Sequence, residues 1–258
     1  MILFRISDLV LEVLLMSCLA YSFSISHMNA IILCGGLSTR LAGITKSKPK
    51  ILLEIGGKTV LDWQLEKLKR VGVKEIVLAA GHLAEVLRDE VGLKRQGLEI
   101  IYAIEDKKLD TGGAIKHGMQ YLLWPKKPTI ILNGDVLTTI NLTDMVSYLP
   151  PDGDGIILGT KVEDASSYGT LRYDKNYHLS AFKEKEGKKQ SGFINGGFYI
   201  FNPGIKKYFP DEKVFSIEYD VFPHARDLYV YESDKPWVDV GVPERLKWAR
   251  ENWKKFAN

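Results

Sequence analysis

Cysteine is scarce, with only Cys18 and Cys34 in 258 residues. Neither stands in a spacing such as CxxC, which argues against a thiolate metal centre. No disulfide framework is expected, and a reducing cytoplasm fits. Cys34 reads as a small buried side chain at a strand end. Charge of one sign is also lacking. The net charge is +3 and no lysine run approaches a basic arm, so there is no nucleic-acid footprint. Long apolar runs are missing too: Val13 to Ala20 is too short to span a bilayer. There is no fixed-period repeat, low-complexity tract or long linker. Neither GxxxxGK[ST] nor GxGxxG occurs, so neither a P-loop nor a dinucleotide fingerprint is present. What remains is ordinary globular composition, 45% hydrophobic and 26% charged.

The first 27 residues stand apart. Three readings compete for them: a secretory leader with Ala20 and Ser22 near a cleavage point, a membrane- or partner-binding helix, and an upstream translation outside the working protein. The third is favoured, because Met28 is followed at once by a core strand. Residues 28–258 are expected to form one domain.

From Met28 the pattern alternates. AIILC, KEIVLAAG, LEIIYAIE and TIILNGD read as strands covered on both faces. Between them lie helical patterns. VLDWQLEKLKRV puts Leu61, Leu65 and Leu68 on one face; HLAEVLRDEVG follows; GGAIKHGMQYLL turns Ala114, Ile115, Met119 and Leu122 inward. Strands alternating with helices imply right-handed βαβ units and a parallel sheet. The second half (GIILGTKV, YGTLRYD, HLSAFKEKE, FINGGFYIF, DLYVYES, PWVDVG) is strand-rich and suggests an added mixed portion closing over that sheet. A terminal helix, VPERLKWARENWKKFA, starts at Pro243 and turns Leu246, Ala249, Trp253 and Phe256 to one side.

The first strand stops at LCGGLSTRL. Ligands of open α/β sheets bind at strand carboxyl ends. Bare glycine backbone there can form an N–H nest for phosphate oxygens, and Arg40 and Lys50 can neutralise a polyphosphate. These residues resemble the signature of the sugar-phosphate nucleotidyltransferases, GGxGTRL...PKPLLPI. LDTGGAI, NGD, YGTL, FKEKE, INGGFYIF and WVDVGVPE follow in that family's order, so the resemblance runs from Met28 to the end. It implies a Rossmann-like, mostly parallel central sheet flanked by helices, with a smaller mixed β portion. LxTGGAI, INGG, SIEYDVFP and DVGVPE are most similar to the heptose-1-phosphate and mannose-1-phosphate guanylyltransferases. The muramate-phosphate uridylyltransferases are close.

The resemblance implies a reaction of a nucleoside triphosphate with a sugar 1-phosphate, giving an NDP-sugar and pyrophosphate. It also implies a site. Arg40, Lys50 and Asp135 carry the chemistry, with Mg²⁺ held by Asp135 and Asp239. Gly35, Gly36, Leu37, Ser38 and Thr39 hold the phosphates, Ser38 standing where the family has glycine. Gly81, Asp110, Thr111 and Gly112 surround the base. Asp110 is open to two roles, acceptor for guanine or cap of the following helix. Gly169, Glu184, Lys185, Asn195 and Gly196 meet the sugar phosphate, although KEKEGKK also reads as a solvated charge run and Glu186 stands where the family has proline. His82 and His117 read as loop and helix-surface residues, and Trp237, Trp248 and Trp253 as packing anchors. A uridylyltransferase and a non-catalytic nucleotide-sugar sensor remain as alternatives. No nucleic acid or membrane is expected as a partner, and self-association is left open.

Overall fold

The computed structural model describes residues 28–36, 39–41, 43, 47–184, 187 and 189–257. The N-terminal extension and the predicted site residues Leu37, Ser38 and Lys185 lie outside the described residues.

Four parallel strands carry the first half: β1 (Asn29–Leu33), β4 (Glu75–Ala80), β6 (Leu98–Ile104) and β7 (Thr129–Asn133). They lie in the order β7, β1, β4, β6. The chain steps outward from β1 to β4 and β6, then returns to put β7 on the other side of β1. That reversal is a topological switch point, and the crevice beyond it is where ligands of such sheets bind. Along β1, Ala30 and Ile32 enter one core cluster while Ile31 enters the other, so the sheet is covered on both faces. This is why the strand reads as unbroken apolar sequence.

The first face is covered by α1 (Val60–Arg70), α2 (Ala84–Val91) and α4 (Leu142–Ser147). Leu61, Leu65 and Leu68 are fully buried, each stabilising by about 1.5–3 kcal/mol. Helix α1 begins at a reciprocal cap: the Asp62 amide donates to Thr59 Oγ1 at 3.1 Å, and the Thr59 amide donates to Asp62 Oδ2 at 3.1 Å. Arg95, in the hairpin of β5 (Lys94–Arg95) with β6, closes on the same carboxylate at 2.7 Å. Burial works against that carboxylate, but Arg95 and Thr59 more than offset it and hold its pKa below the usual range. The opposite face is covered by α3 (Asp110–Gly118) and by residues between 205 and 225.

In the second half β9 (Gly155–Val162), β10 (Thr170–Tyr173), β11 (Leu179–Lys183), β12 (Gly192–Phe201) and β13 (Leu228–Ser233) extend the same sheet to ten strands. The expected mixed portion is therefore continuous with the parallel part. Strand β12 makes the join. Phe198–Phe201 run antiparallel to β7, whereas Ile194 pairs with Thr170 of β10, and the register against β9 shifts between Asn195 and Tyr199. Gly197 sits in that bulge at φ +73°, a conformation that favours glycine.

A smaller cluster packs beside the switch point. The hairpin β2 (Glu54–Ile55)–β3 (Lys58–Thr59) and the pair β8 (Val136–Thr138)–β14 (Trp237–Asp239) meet α5 (Pro243–Glu251). Leu41, Leu53, Ile55, Val238, Leu246 and Phe256 are buried together there.

Candidate active site

The ends of β1 and β7 converge at the switch point. The Gly134 amide donates to Leu33 O at 3.0 Å, and a Cβ at Gly134 would stand 2.6 Å from that oxygen. Only glycine allows so close an approach. Asp135 follows immediately. Lys50, in the short 3₁₀ turn Lys50–Leu52, points its Nζ at Asp135 Oδ2 from 3.3 Å. Gly35, Gly36, Lys50, His82, Thr111 and Asp135 line one pocket. The Lys50 and Asp135 side chains are 22% and 28% exposed, so the pair lies at a wet surface and contributes only about 0–1 kcal/mol to stability. Its value is in placing a cation and a carboxylate at the mouth of the crevice.

Asp239 joins them through backbone pairing. Strand β14 runs antiparallel to β8 with Asp239 opposite Val136, and the Val240 amide donates to Asp135 O at 2.8 Å. A Cβ at Gly241 would lie 3.0 Å from Asp239 Oδ1 and 3.4 Å from Asp135 Oδ2. The two carboxylates therefore flank one space that a side chain would fill. Asp239 Oδ1 accepts from the Gly241 amide at 3.1 Å and from Arg245 Nη2 at 2.6 Å. Among the described residues no three His, Cys, Asp or Glu side chains gather in a metal-binding group. Two carboxylates with water and substrate oxygens suit a hard cation such as Mg²⁺, which keeps much of its hydration. Asp135 and Asp239 fit that ion.

The predicted nucleotide residues divide. Gly36 is at φ +121°, where glycine is favoured, and Gly35 donates its amide to Ala79 O at 3.1 Å. Arg40 is exposed in the turn Thr39–Leu41 and outside the residues that line the pocket. Gly81 faces Gly35 across the Glu105 carboxylate. Asp110 is exposed at φ +61°, with Oδ1 accepting from the Thr111 amide at 3.1 Å, a local turn contact. The TGG turn differs from expectation. The amides of Gly112 and Gly113 both donate to Phe215 O, and a side chain at Gly112 would collide with the Phe215 ring. These glycines admit a neighbouring segment.

The predicted sugar residues divide in the same way. The bare face of Gly169 is filled by the Phe182 ring, and that of Gly196 by Leu158, whose Cγ would stand 2.6 Å from an added Cβ. Asn195 donates Nδ2 to Tyr199 OH at 2.8 Å and accepts from the Gly197 amide at 3.0 Å, so it shapes the bulge. Glu184 is exposed at the end of β11. Trp237 donates to Gly196 O at 2.9 Å and is a packing anchor, as expected. His117 is half-buried and donates Nε2–H to Ile104 O at 3.1 Å, so it is tied to β6 rather than lying free on the helix surface.

The family model described as Nucleotidyl transferase matches residues 29–255. The chain belongs to this family. Among curated nucleotidyl transferases it is 37% identical over 220 residues to "D-glycero-alpha-D-manno-heptose 1-phosphate guanylyltransferase" of Campylobacter jejuni, covering 84% of this chain and 96% of that one. It is 36% identical over 222 residues to "Mannose-1-phosphate guanylyltransferase catalytic subunit beta" of Drosophila melanogaster, covering 84% of this chain but only 60% of that protein. The chain thus spans about three fifths of the length of the mannose relatives it matches. A solved structure, HddC from Yersinia pseudotuberculosis complexed with GMP-PN, superposes with a TM-score of 0.75 at 31% identity, covering 88% of this chain and 99% of that chain.

Four groups of this nucleotidyl transferase escaped sequence reasoning. Glu105 follows β6 with Oε1 above Gly35 and Gly81, and Oε2 accepts from the Leu109 amide at 3.2 Å. Burial pushes its carboxyl up. Its signal was a glutamate closing an apolar strand level with Gly81. Arg245 and Tyr168 hold Asp239: Arg245 lies 5.3 Å from the Tyr168 ring centroid, and burial followed by the Asp239 charge pushes the Tyr168 hydroxyl up. The fourth is the turn after Phe215, whose SIEYDVFP sequence marked the family branch without giving its residues a role. Among the described residues no helix is long and apolar enough to cross a membrane.

Proposed function

We propose that the chain is a sugar-1-phosphate nucleotidyltransferase, joining a nucleoside triphosphate to a sugar 1-phosphate and releasing pyrophosphate. One observation carries this reading: Lys50 and the carboxylates of Asp135 and Asp239 converge on a bare glycine space at the switch point of the sheet. The attacking atom is a phosphate oxygen of the sugar 1-phosphate. It forms a bond to the α-phosphorus of the triphosphate as the α–β bridging bond breaks, and the electron pair leaves with pyrophosphate. The attacking phosphate is already ionised, so no general base is required, and His82 and His117 have no catalytic task. Catalysis rests on holding two polyanions in line and neutralising them. Lys50 moves from Asp135 to the triphosphate, and Arg40 neutralises the departing end. Asp135 and Asp239 would hold Mg²⁺, which would supply charge withdrawal from the α-phosphate.

Guanine is the base and a mannose- or heptose-type 1-phosphate the sugar, as the names of the relatives suggest. Glu105 supports the choice of base: a carboxylate beside Gly35 and Gly81 accepts from the guanine N1–H and amino group together, a pairing uracil lacks. The substrates are cytoplasmic metabolites, so the enzyme is assigned to the cytoplasm. The test is pyrophosphate release from the four common nucleoside triphosphates, each paired with mannose, heptose, glucose and muramate 1-phosphates. GTP with a manno-configured sugar is the expected pair. Turnover with UTP alone overturns the guanine assignment, and turnover with none leaves a nucleotide-sugar sensor.

A further inference from the structure

The turn after Phe215 is built around a carboxylate that the reaction does not use. Ile217–Val221 form one wide π-helical turn, capped by Ser216 Oγ, which accepts from the Glu218 and Tyr219 amides. Glu218 Oε2 accepts from Thr111 Oγ1 at 2.6 Å and from Ser216 Oγ at 2.7 Å. Thr111 Oγ1 in turn accepts from the Ile217 amide at 3.0 Å. On its other side Glu218 bears on Tyr199, whose hydroxyl also takes the Asn195 amide at 2.8 Å. One side chain thus ties the pocket residue Thr111 to the bulge of β12. A wide turn held by this many charge-assisted bonds is an ordered platform.

What that platform presents is Tyr219. It is 51% exposed. Its ring packs edge-on against Phe182, 5.7 Å between centroids, and Phe182 covers Gly169. Its hydroxyl is turned to Glu184, with Glu218 and Asp110 the further charges facing it. A phenol beside an exposed carboxylate offers a donor and acceptors on one wall, the chemistry needed to read hydroxyl configuration.

Resting on the nucleotidyltransferase reading, we propose that this turn sets the choice of sugar: Tyr219, beside Glu184, contacts the sugar hydroxyls, and Glu218 is the positioning residue that fixes Tyr219 relative to Thr111 and the β12 bulge. A sugar whose hydroxyl points away leaves this wall unpaired and is rejected by the cost of an unsatisfied polar group.

The experiment uses steady-state kinetics of the full chain with GTP and a pair of epimeric sugar 1-phosphates. Thermal melting serves as the control for folding. Tyr219→Phe keeps the ring against Phe182 and removes only the hydroxyl. It should raise KM for the preferred sugar 1-phosphate about tenfold and shrink the epimer ratio in kcat/KM, with the GTP KM within about twofold. Glu218→Ala should raise the same sugar KM. Glu218→Gln, whose amide oxygen still accepts from Thr111 and Ser216, should restore it to within about threefold. A purely structural role would lower the melting point and the active fraction without moving the sugar KM or the ratio. Active Tyr219→Phe and Glu218→Ala enzymes with unchanged sugar KM and epimer ratio overturn the inference alone. A wild-type chain that releases no pyrophosphate from any pair overturns the functional reading beneath it.

Discussion

The two halves of the crevice are built on opposite plans. On the proposed nucleotide side, strands β1 and β7 end in short glycine turns that leave Lys50 and Asp135 at an open mouth. On the proposed sugar side, Asn195, Gly196 and Gly169 are engaged with Tyr199, Leu158 and Phe182, and the proposed selectivity rests on side chains carried by a separate turn. The first half shows that a parallel sheet gathers a cation and a carboxylate at one mouth through its topology. The second shows that a bulged strand spends its polar groups on keeping its own shape. Residue types alone do not separate the two plans, since Asn133–Gly134 ends one strand and Asn195–Gly196 sits inside another.

The contrast can be broken by substitution. Asp135→Asn should cost more than about a thousandfold in kcat, with the melting temperature nearly unchanged, because Asp135 is partly exposed and its pairing with Lys50 adds little to stability. Pyrophosphate release is the measure, and activity within tenfold of wild type would remove Asp135 from the site. Lys50→Ala comes next, raising the nucleotide KM some tenfold or more while the sugar-phosphate KM moves less than threefold. Equal shifts in both would mean that the lysine does not discriminate between the substrates. Two glycines then separate structure from function. Gly112→Ala drives a methyl into the rigid Phe215 ring and should cost about 1–3 kcal/mol in urea unfolding. Gly81→Ala puts a methyl against Glu105 Oε1 and 2.8 Å from its Cγ, so it should displace that side chain, cost less stability than Gly112→Ala and raise the nucleotide KM. Reversed results would exchange the roles assigned to these glycines.

The smallest effect concerns pH. Burial lowers the Lys67 pKa from 10.5 to about 8. Between those values the unfolded chain binds the proton and the folded chain does not. Stability therefore rises with pH from about 8 toward 10.5, and below 8 burial of the charge is a constant penalty. Lys67→Met should flatten that rise in urea midpoints; an unchanged slope would show that Lys67 does not cause it.

The parallel half was legible because its signals are local. Leu61, Leu65 and Leu68 repeat at helical spacing, and β1 and β7 are unbroken apolar runs between polar turns. The family signature pointed to Asp135 and Asp239, and the structure does bring them around one space. The rest was hidden because it depends on what arrives from far along the chain. Nothing around Gly112 announces that Phe215 will occupy its open face, and nothing in FINGGFYIF reveals that β12 changes partner from β10 to β7. Glu105 was passed over because its meaning lies in its distance to Gly35, 70 residues earlier.

The cluster beneath α5 has a bearing on the chemistry. Leu41 anchors the turn that displays Arg40, Leu53 and Ile55 follow the turn that displays Lys50, and all three are packed with Phe256. Trp253 presses on Gly56, where a Cβ would stand 2.5 Å from its indole. The final helical turn thus works as a keystone for both cationic arms. Trimming or crowding it should reach the reaction centre mechanically, through slackened loops, with every charged group still present.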